Sequence, residues 1–246
     1  MSGASSSAAR PTSNDDPSRA FDAHAESYDA DLQKGLSVSG ETKEYFAHGR
    51  LRLVRERLDD LGHTATSVLD YGCGDGATTP LFYDLLGAVS VIGVDTSAGL
   101  LARARTQYGS DSTHFHLLAD LVPEPRFALA FCNGVFHHIP PADRPAAAHY
   151  VFDSLAPGAL FAFWENNPWN PGTRWVMSRI PFDRDAVTIP PPEGHDLLRT
   201  AGFKILTTAF VFFFPRALSW FRPLERHLTS VPLGAQYLIL AHKPTA

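Results

Sequence analysis

The residues with the most chemical content lie in one short stretch, Asp70-Tyr71-Gly72-Cys73-Gly74-Asp75-Gly76. Glycines at alternate positions directly after an apolar run let the backbone turn tightly and approach a ligand closely. A dinucleotide loop has the spacing G-x-G-x-x-G, which offers a helix N-terminus to a pyrophosphate. Here the spacing is G-x-G-x-G, and Asp70 stands just before it. A carboxylate at that mouth repels a pyrophosphate and favours a cationic amino group. A second acid, Asp95, closes the next apolar run, and a third, Asp120, follows the one after that. Three carboxylates around a glycine turn suit a polar, positively charged nucleoside better than a phosphorylated one. An NAD-dependent oxidoreductase would need a third glycine one position later and no acid at position 70.

The same segment resembles the first motif of class I S-adenosylmethionine-dependent methyltransferases of the small-molecule type. The resemblance continues through Gly93-Val94-Asp95, Leu118-Ala119-Asp120 and Asn133-Gly134-Val135-Phe136-His137-His138-Ile139, and the opening Phe21-Asp22-Ala23-His24-Ala25-Glu26-Ser27-Tyr28-Asp29 is similar to the leader of many members. It implies S-adenosylmethionine as cofactor. Asp95, with Thr96 after it, would accept hydrogen bonds from the ribose hydroxyls; charge-assisted bonds of this kind contribute on the order of 1.5–3 kcal/mol. Asp120 and Leu121 would meet the adenine, and Asn133 and Gly134 would line the cofactor floor. Asp70, Gly72, Cys73, Gly74 and Gly76 form the cradle. Arg50 is either the partner of the cofactor carboxylate or an exposed helix arginine.

Methyl transfer from a sulfonium needs alignment and exclusion of water more than it needs a catalytic triad, and the sequence contains no triad. A base matters only for a protonated nucleophile. His137 and His138 follow the fourth strand, at the edge where open α/β sheets bind ligands, and either could take a proton or simply pack. Tyr28 either closes over the sulfonium or packs in a lid. The segment Trp164-Glu165-Asn166-Asn167-Pro168-Trp169-Asn170 follows the fifth strand and would lie over the site. Glu165, Asn166 and Trp169 are its substrate-side candidates; a proline-fixed connection is the alternative. The Asn-Pro-Pro-Tyr-like motif of adenine-N6 methyltransferases follows the fourth strand and has a second proline, so a nucleic-acid base is not implied. No residue is assigned to a metal. A non-catalytic scaffold that binds the cofactor is the competing reading, and the intact acidic set argues against it.

These residues need an alternating scaffold to bring them together. The spacing of Leu51, Val54 and Leu58 predicts a helix over 41–61, and helices follow over 79–86, 98–108, 142–155 and 195–201. Apolar runs at 67–71, 89–94, 113–118, 127–132, 159–164, 203–212 and 236–242 read as strands. Alternation of this kind makes an α/β fold, a doubly wound, mostly parallel seven-stranded sheet with an antiparallel last strand. Residues 1–18 read as a disordered leader and 19–246 as one domain. Within it, 19–62 forms an N-terminal helical lid segment, 63–165 the cofactor-binding half and 166–246 the substrate-side half. The aromatic run Phe210 to Phe221, with Arg216 and Arg222, reads mainly as core and sheet packing. A hydrophobic acceptor, or peripheral membrane contact through Phe214 to Leu228, is the alternative.

Composition narrows the partners. The 246 residues carry a formal charge of -5, with 44% hydrophobic and 19% charged residues. That charge disfavours nucleic acid, whose phosphates call for a basic face. Two cysteines, Cys73 and Cys132, are too few for a secreted disulfide framework and read as buried free thiols in a reducing, cytoplasmic setting. No apolar run is long enough to span a bilayer. The expected partner is a small-molecule acceptor, and oligomeric state is not encoded legibly.

Overall fold

The computed structural model describes residues 35–180, 183 and 186–245. Seven strands form one sheet: β1 Ser67–Tyr71, β2 Ser90–Asp95, β3 Thr113–Leu117, β4 Phe127–Asn133, β5 Leu155–Asn166, β6 Lys204–Val211 and β7 Gln236–His242. Their order is β3-β2-β1-β4-β5-β7-β6. β1 to β5 run parallel, and β7 inserts antiparallel between β5 and β6. The winding direction reverses between β1 and β4, so a crevice opens beyond their carboxyl ends. Asp70, Asp95 and Asn133, at the ends of β1, β2 and β4, therefore reach the same sheet edge.

Strand alternation places two cores on opposite faces of the sheet. On β5, Leu160, Ala162 and Trp164 pack with Leu51, Val54, Phe82 and Leu86 of helices α1 (Lys43–Leu61) and α2 (Thr79–Leu86). Phe161 and Phe163 face the other way, toward Ala147, Ala148 and Val151 of α4 (Arg144–Ser154) and Leu198 of α6 (Pro191–Thr200). Helix α3 (Ala98–Tyr108) covers the far end through Leu101 and Ala104 against Phe115. Both faces are thus covered, as continuous apolar strands require.

Helix α1 begins at Thr42, whose side chain accepts from the Tyr45 N–H, and ends at Gly62 in the left-handed region. Among the elements that escaped the sequence reading are two in the substrate-side half. Asn170 caps the short helix α5 (Pro171–Met177) by accepting from the Thr173 N–H, and Arg216–His227 forms 3₁₀ turns. The fifth strand also starts earlier than expected, at Leu155. Its Ala156-Pro157-Gly158 turn is absorbed as an irregularity in the pairing with β4, with Gly158 at φ 80°.

Candidate active site

The glycine turn is bolted to the end of β2. The Gly72 and Cys73 N–H groups donate to the Val94 carbonyl at 2.8 and 3.0 Å, and Gly74 N–H donates to Asp95 Oδ2 at 2.8 Å. Asp95 Oδ1 accepts from Ser97 N–H at 2.9 Å, which fixes the entry into α3. The two glycines at the heart of the turn do different work. A Cβ on Gly72 would overlap Val135, whereas one on Gly74, at φ 55°, would meet nothing within 4 Å and project into open space. Gly74 is therefore glycine for its backbone angle and for what must fit above it.

Three cavities meet around this turn. The first, about 440 Å³, is lined by Tyr71, Gly74, Asp95, Thr96, Leu118, Tyr150 and the small face of α4. The third, about 430 Å³, lies on the other side of the turn, between Asp70, Cys73, Asp75, Lys43 and Arg50. The second, about 380 Å³, opens beyond His137 and His138 and is walled by Tyr45, Phe46, Met177, Ile180 and Phe212 to Phe214. Asn133 borders all three, and its buried Oδ1 has no hydrogen-bond partner among the described residues. Such an orphan at a cavity junction is poised for a ligand.

The electrostatics are concentrated at two points. Burial, and then the neighbouring Asp95, push Asp70 up to about 8, against the opposing pull of Arg50. Asp70 Oδ2 is also buried without a partner. The other point is a buried set on the 3₁₀ turn after β4. His137 Nδ1 lies 2.5 Å from Glu165 Oε2, while Glu165 Oε1 accepts from Phe136 N–H at 2.9 Å. Asp183 Oδ1 lies 3.2 Å from His138 Nε2 and 3.6 Å from His137 Nε2. Burial alone would lower the pKa of His137, but the carboxylates of Glu165 and Asp183 reverse this and carry it up to about 10. Asp183 falls to about 2, because its close approach to His137 and His138 outweighs its burial. Burial dominates at His138 and lowers it despite Asp183. Near neutral pH, His137 is thus an imidazolium between two carboxylates and His138 is neutral. The ligand-type atoms of His137, His138 and Asp183 lie within 4.8 Å of one another.

Several expected positions come together here and others do not. Asp95, Thr96, Asn133, Gly72 and Gly74 line the first cavity; Asp70, Cys73 and Arg50 line the third. Arg50 is buried, not exposed, and donates to Gln236 at 3.0 Å. Gly76 lines none of the three cavities; its missing Cβ makes room for Phe115 and Ala104. The 3₁₀ turn Leu118–Asp120 directs Leu118 into the first cavity and leaves Asp120 exposed; Asp120 and Leu121 are not among its lining. Glu165 is not on the substrate side but locked beneath His137. Asn166 borders the second cavity, where its Oδ1 accepts from Gln236. Trp169 lies outside, half exposed and stacked on Phe210, and Asn167 ties its own loop to the Pro232 and Gly234 carbonyls. Asn166 and Asn170 of the same segment nevertheless border the second cavity. Tyr28 and the 1–34 segment lie outside the described residues.

Phe212 to Phe214 of the aromatic run wall the second cavity, whereas Lys43, Tyr45, Asp183 and Gln236 border the site without a mark in the sequence. Each of these four comes from a chain segment far from the glycine turn.

Residues 68–158 match the model of a family described as a methyltransferase domain. The chain is 35% identical over 164 residues to a trans-aconitate 2-methyltransferase of Rhodopseudomonas palustris (strain BisB5), covering 66% of this chain and 60% of the relative. It is 35% identical over 118 residues to the same-named protein of Methylobacterium nodulans, covering 48% of this chain and 45% of the relative. The matches thus span about half the length of these relatives. A solved structure of a TehB-like S-adenosylmethionine-dependent methyltransferase from Corynebacterium glutamicum superposes with a TM-score of 0.57 at 16% identity, over 90% of this chain and 98% of that one. At that identity the likeness concerns the fold.

Proposed function

The chain carries a methyltransferase domain of the class I S-adenosylmethionine-dependent family, and from that premise we propose that it transfers a methyl group from S-adenosylmethionine to a small organic acceptor held in the second cavity. The observation that carries this reading is the junction at Asn133, where two polar-rimmed cavities on either side of the glycine turn meet a third walled by aromatics.

The chemistry of the cradle fits this cofactor. Asp70, buried with an unpartnered oxygen, suits an ammonium group, and Arg50 and Lys43 on the same cavity suit a carboxylate. Asp95, on the wall of the first cavity and fixed by the Gly74 and Ser97 N–H groups, suits the ribose hydroxyls. Leu100, Leu118, Ala146 and Ala147 offer an apolar slot for a flat base. A pyrophosphate would face Asp70 and Asp95 together, which argues against a dinucleotide.

Bound S-adenosylmethionine supplies a methyl group on a sulfonium, a carbon already activated for displacement. What remains for the protein is to exclude water, orient the acceptor and hold its proton. His138 is the titratable side chain shared by the first and second cavities. Asp183 takes the Nε2–H of His138, which leaves the basic lone pair on Nδ1. Its lowered pKa keeps it neutral and able to accept a proton from a hydroxyl acceptor. Beneath it, the His137 imidazolium with Glu165 and Asp183 leaves a local excess of one negative charge, which favours a cationic donor. His137 acts through this charge balance and through the position of Glu165, not by contact with the acceptor.

Two outcomes follow. His138→Ala should lower kcat for a hydroxyl acceptor by roughly 10²–10⁴-fold, with S-adenosylmethionine affinity within threefold of wild type. Turnover and calorimetry check this, and a kcat within about threefold would remove His138 from the reaction. The second concerns Asp70, which must lose its proton to pair with an ammonium. S-adenosylmethionine affinity should therefore rise between pH 6 and about 8, the value to which Asp70 is pushed, by up to about tenfold per pH unit. Titration calorimetry across this range should give a flat profile for Asp70→Asn; an equally steep variant would contradict the pairing.

The relatives' acceptor suggests a second reading, methyl esterification of a small carboxylic acid. Arg50 and Lys43 on the second cavity support it, but Glu41, Asp183 and the aromatic wall offset those charges. We favour an acceptor with an apolar body and one polar end. Mass spectrometry of a metabolite extract incubated with the enzyme and methyl-labelled cofactor tests both: a labelled product identifies the acceptor, and a screen without labelled product, despite tight cofactor binding, favours a non-catalytic scaffold.

A further inference from the structure

After β6 the chain turns at Phe212, a non-glycine residue at φ 62°, and runs into the 3₁₀ turns of Arg216–His227. Surface segments normally point charge outward and apolar groups inward. This one is reversed. The Glu225 carboxylate is turned in, where it accepts from the Phe213 and Phe214 N–H groups at 3.1 and 2.9 Å. Arg222 is also turned in: it donates to Glu41 at 2.7 Å and to the Phe214 carbonyl at 3.2 Å, and its guanidinium lies 4.5 Å from the centre of the Tyr45 ring. Trp220 is 68% exposed, Leu224 51%, Phe221 41% and Leu218 38%, and no residue of the segment is buried.

The charge on this face is one-sided. Between positions 215 and 234 the only acid is Glu225, which is used internally, while Arg216 and Arg226 are exposed. A basic, aromatic face on a chain of net charge -5 is a local feature. It also leads into the site. Phe214 lines the second cavity and its ring lies 5.6 Å from that of Phe221, which in turn lies 5.6 Å from Trp220. Aromatic surface therefore continues from the cavity wall to the outside of the molecule.

We propose that this face rests on an anionic lipid surface, and that the methyl acceptor is an amphiphile that enters the second cavity from that surface past Phe214 and Phe221. The second half rests on the reading of that cavity as the acceptor site. Trp and Phe at the level of the headgroups, with arginines beside them, match the chemistry of an interface of apolar chains and phosphates. A second copy of the chain would set Arg216 and Arg226 against the same cations.

The test is co-sedimentation of the full chain with vesicles of phosphatidylcholine alone or mixed with phosphatidylglycerol. Wild type should bind the mixed vesicles, less at high salt, and Trp220→Ser/Leu224→Ser should bind about tenfold more weakly or worse with an unchanged thermal midpoint. Absence of wild-type binding, or equal binding by the variant, overturns the proposal. So does loss of a wild-type dimer, or a fall in thermal midpoint, in the variant; these would show the face covered by another copy or by residues 1–34 of the same chain. S-adenosylmethionine binding, measured in the same samples by calorimetry, reports on the methyltransferase reading independently of the vesicles. The amphiphile half is tested by methyl transfer from labelled cofactor into a lipid extract carried in the mixed vesicles. Label in the lipid fraction supports it, and label only in the water-soluble fraction overturns it.

Discussion

Asp95→Ala should weaken S-adenosylmethionine binding by about 10²–10³-fold, roughly 2.7–4.1 kcal/mol. The expectation joins two losses. The carboxylate is the candidate acceptor for the ribose hydroxyls, each such charge-assisted bond being worth about 1.5–3 kcal/mol. It also holds the Gly74 and Ser97 N–H groups, so its removal loosens both the glycine turn and the start of α3. Asp95→Asn keeps one acceptor oxygen and should recover part of the affinity. Titration calorimetry gives the dissociation constants and thermal unfolding checks that both variants fold. A folded Asp95→Ala protein whose affinity stays within about threefold of wild type would remove Asp95, and with it the assignment of the first cavity, from the cofactor site.

The largest stability effect belongs to Glu165. Its carboxylate is 1% exposed and serves both His137 and the Phe136 N–H. Breaking a buried ion pair by removing one partner typically costs about 3–5 kcal/mol, because the remaining charge stays buried without compensation. For a chain of this size that corresponds to a fall of about 6–20 °C in Tm for Glu165→Ala. The pH dependence identifies the cause. His137 rises from 6.5 to about 10 in the folded state, so its contribution is full below pH 6.5 and is lost as pH climbs through 10. Asp70 is also raised, from 3.8 to about 8, and its contribution is spent by that point. Above pH 8 His137 shares the remaining slope with Cys73 and Cys132, whose burial holds them protonated above their usual range, so the part due to His137 is read as a difference between wild type and a variant. Denaturant titrations should show wild-type stability falling more steeply across pH 8–10 than that of Glu165→Gln; equal slopes would mean that the imidazolium is not paired with Glu165 as described.

The parts of the fold that were legible in the sequence are those written in local periodicity. β1, α2, α3 and β7 have the bounds that residue spacing and terminal glycines indicated, and the Asp70 to Gly76 turn lies where the strand–turn–helix pattern required. The residues lining the first and third cavities at the ends of β1, β2 and β4 were legible because strand ends at a topological switch point are predictable places for ligand groups. The acceptor side was not. Glu165 pairs with His137 across 28 positions, and Arg50 meets Gln236 across 186, contacts that only the tertiary fold creates. Asp120 and Trp169 missed the cavities because single-residue direction depends on the local turn: the 3₁₀ geometry at Leu118–Asp120 sends one neighbour in and the other out. The aromatic run after β6 was ambiguous for a related reason, since density of aromatics does not reveal which of them face solvent.

The cavities differ in where their walls come from along the chain. The first is built entirely from residues 71–150, whereas the aromatic and aliphatic walls of the second come from residues 36–50 and 176–215. Through residues 176–215, which line neither the first nor the third cavity, selection can therefore remodel the shape offered to one molecule while the machinery gripping the other stays untouched. Exchange of residues 176–215 between related chains, which leaves Lys43 and Arg50 of the third cavity in place, should redirect what is modified and spare what is donated.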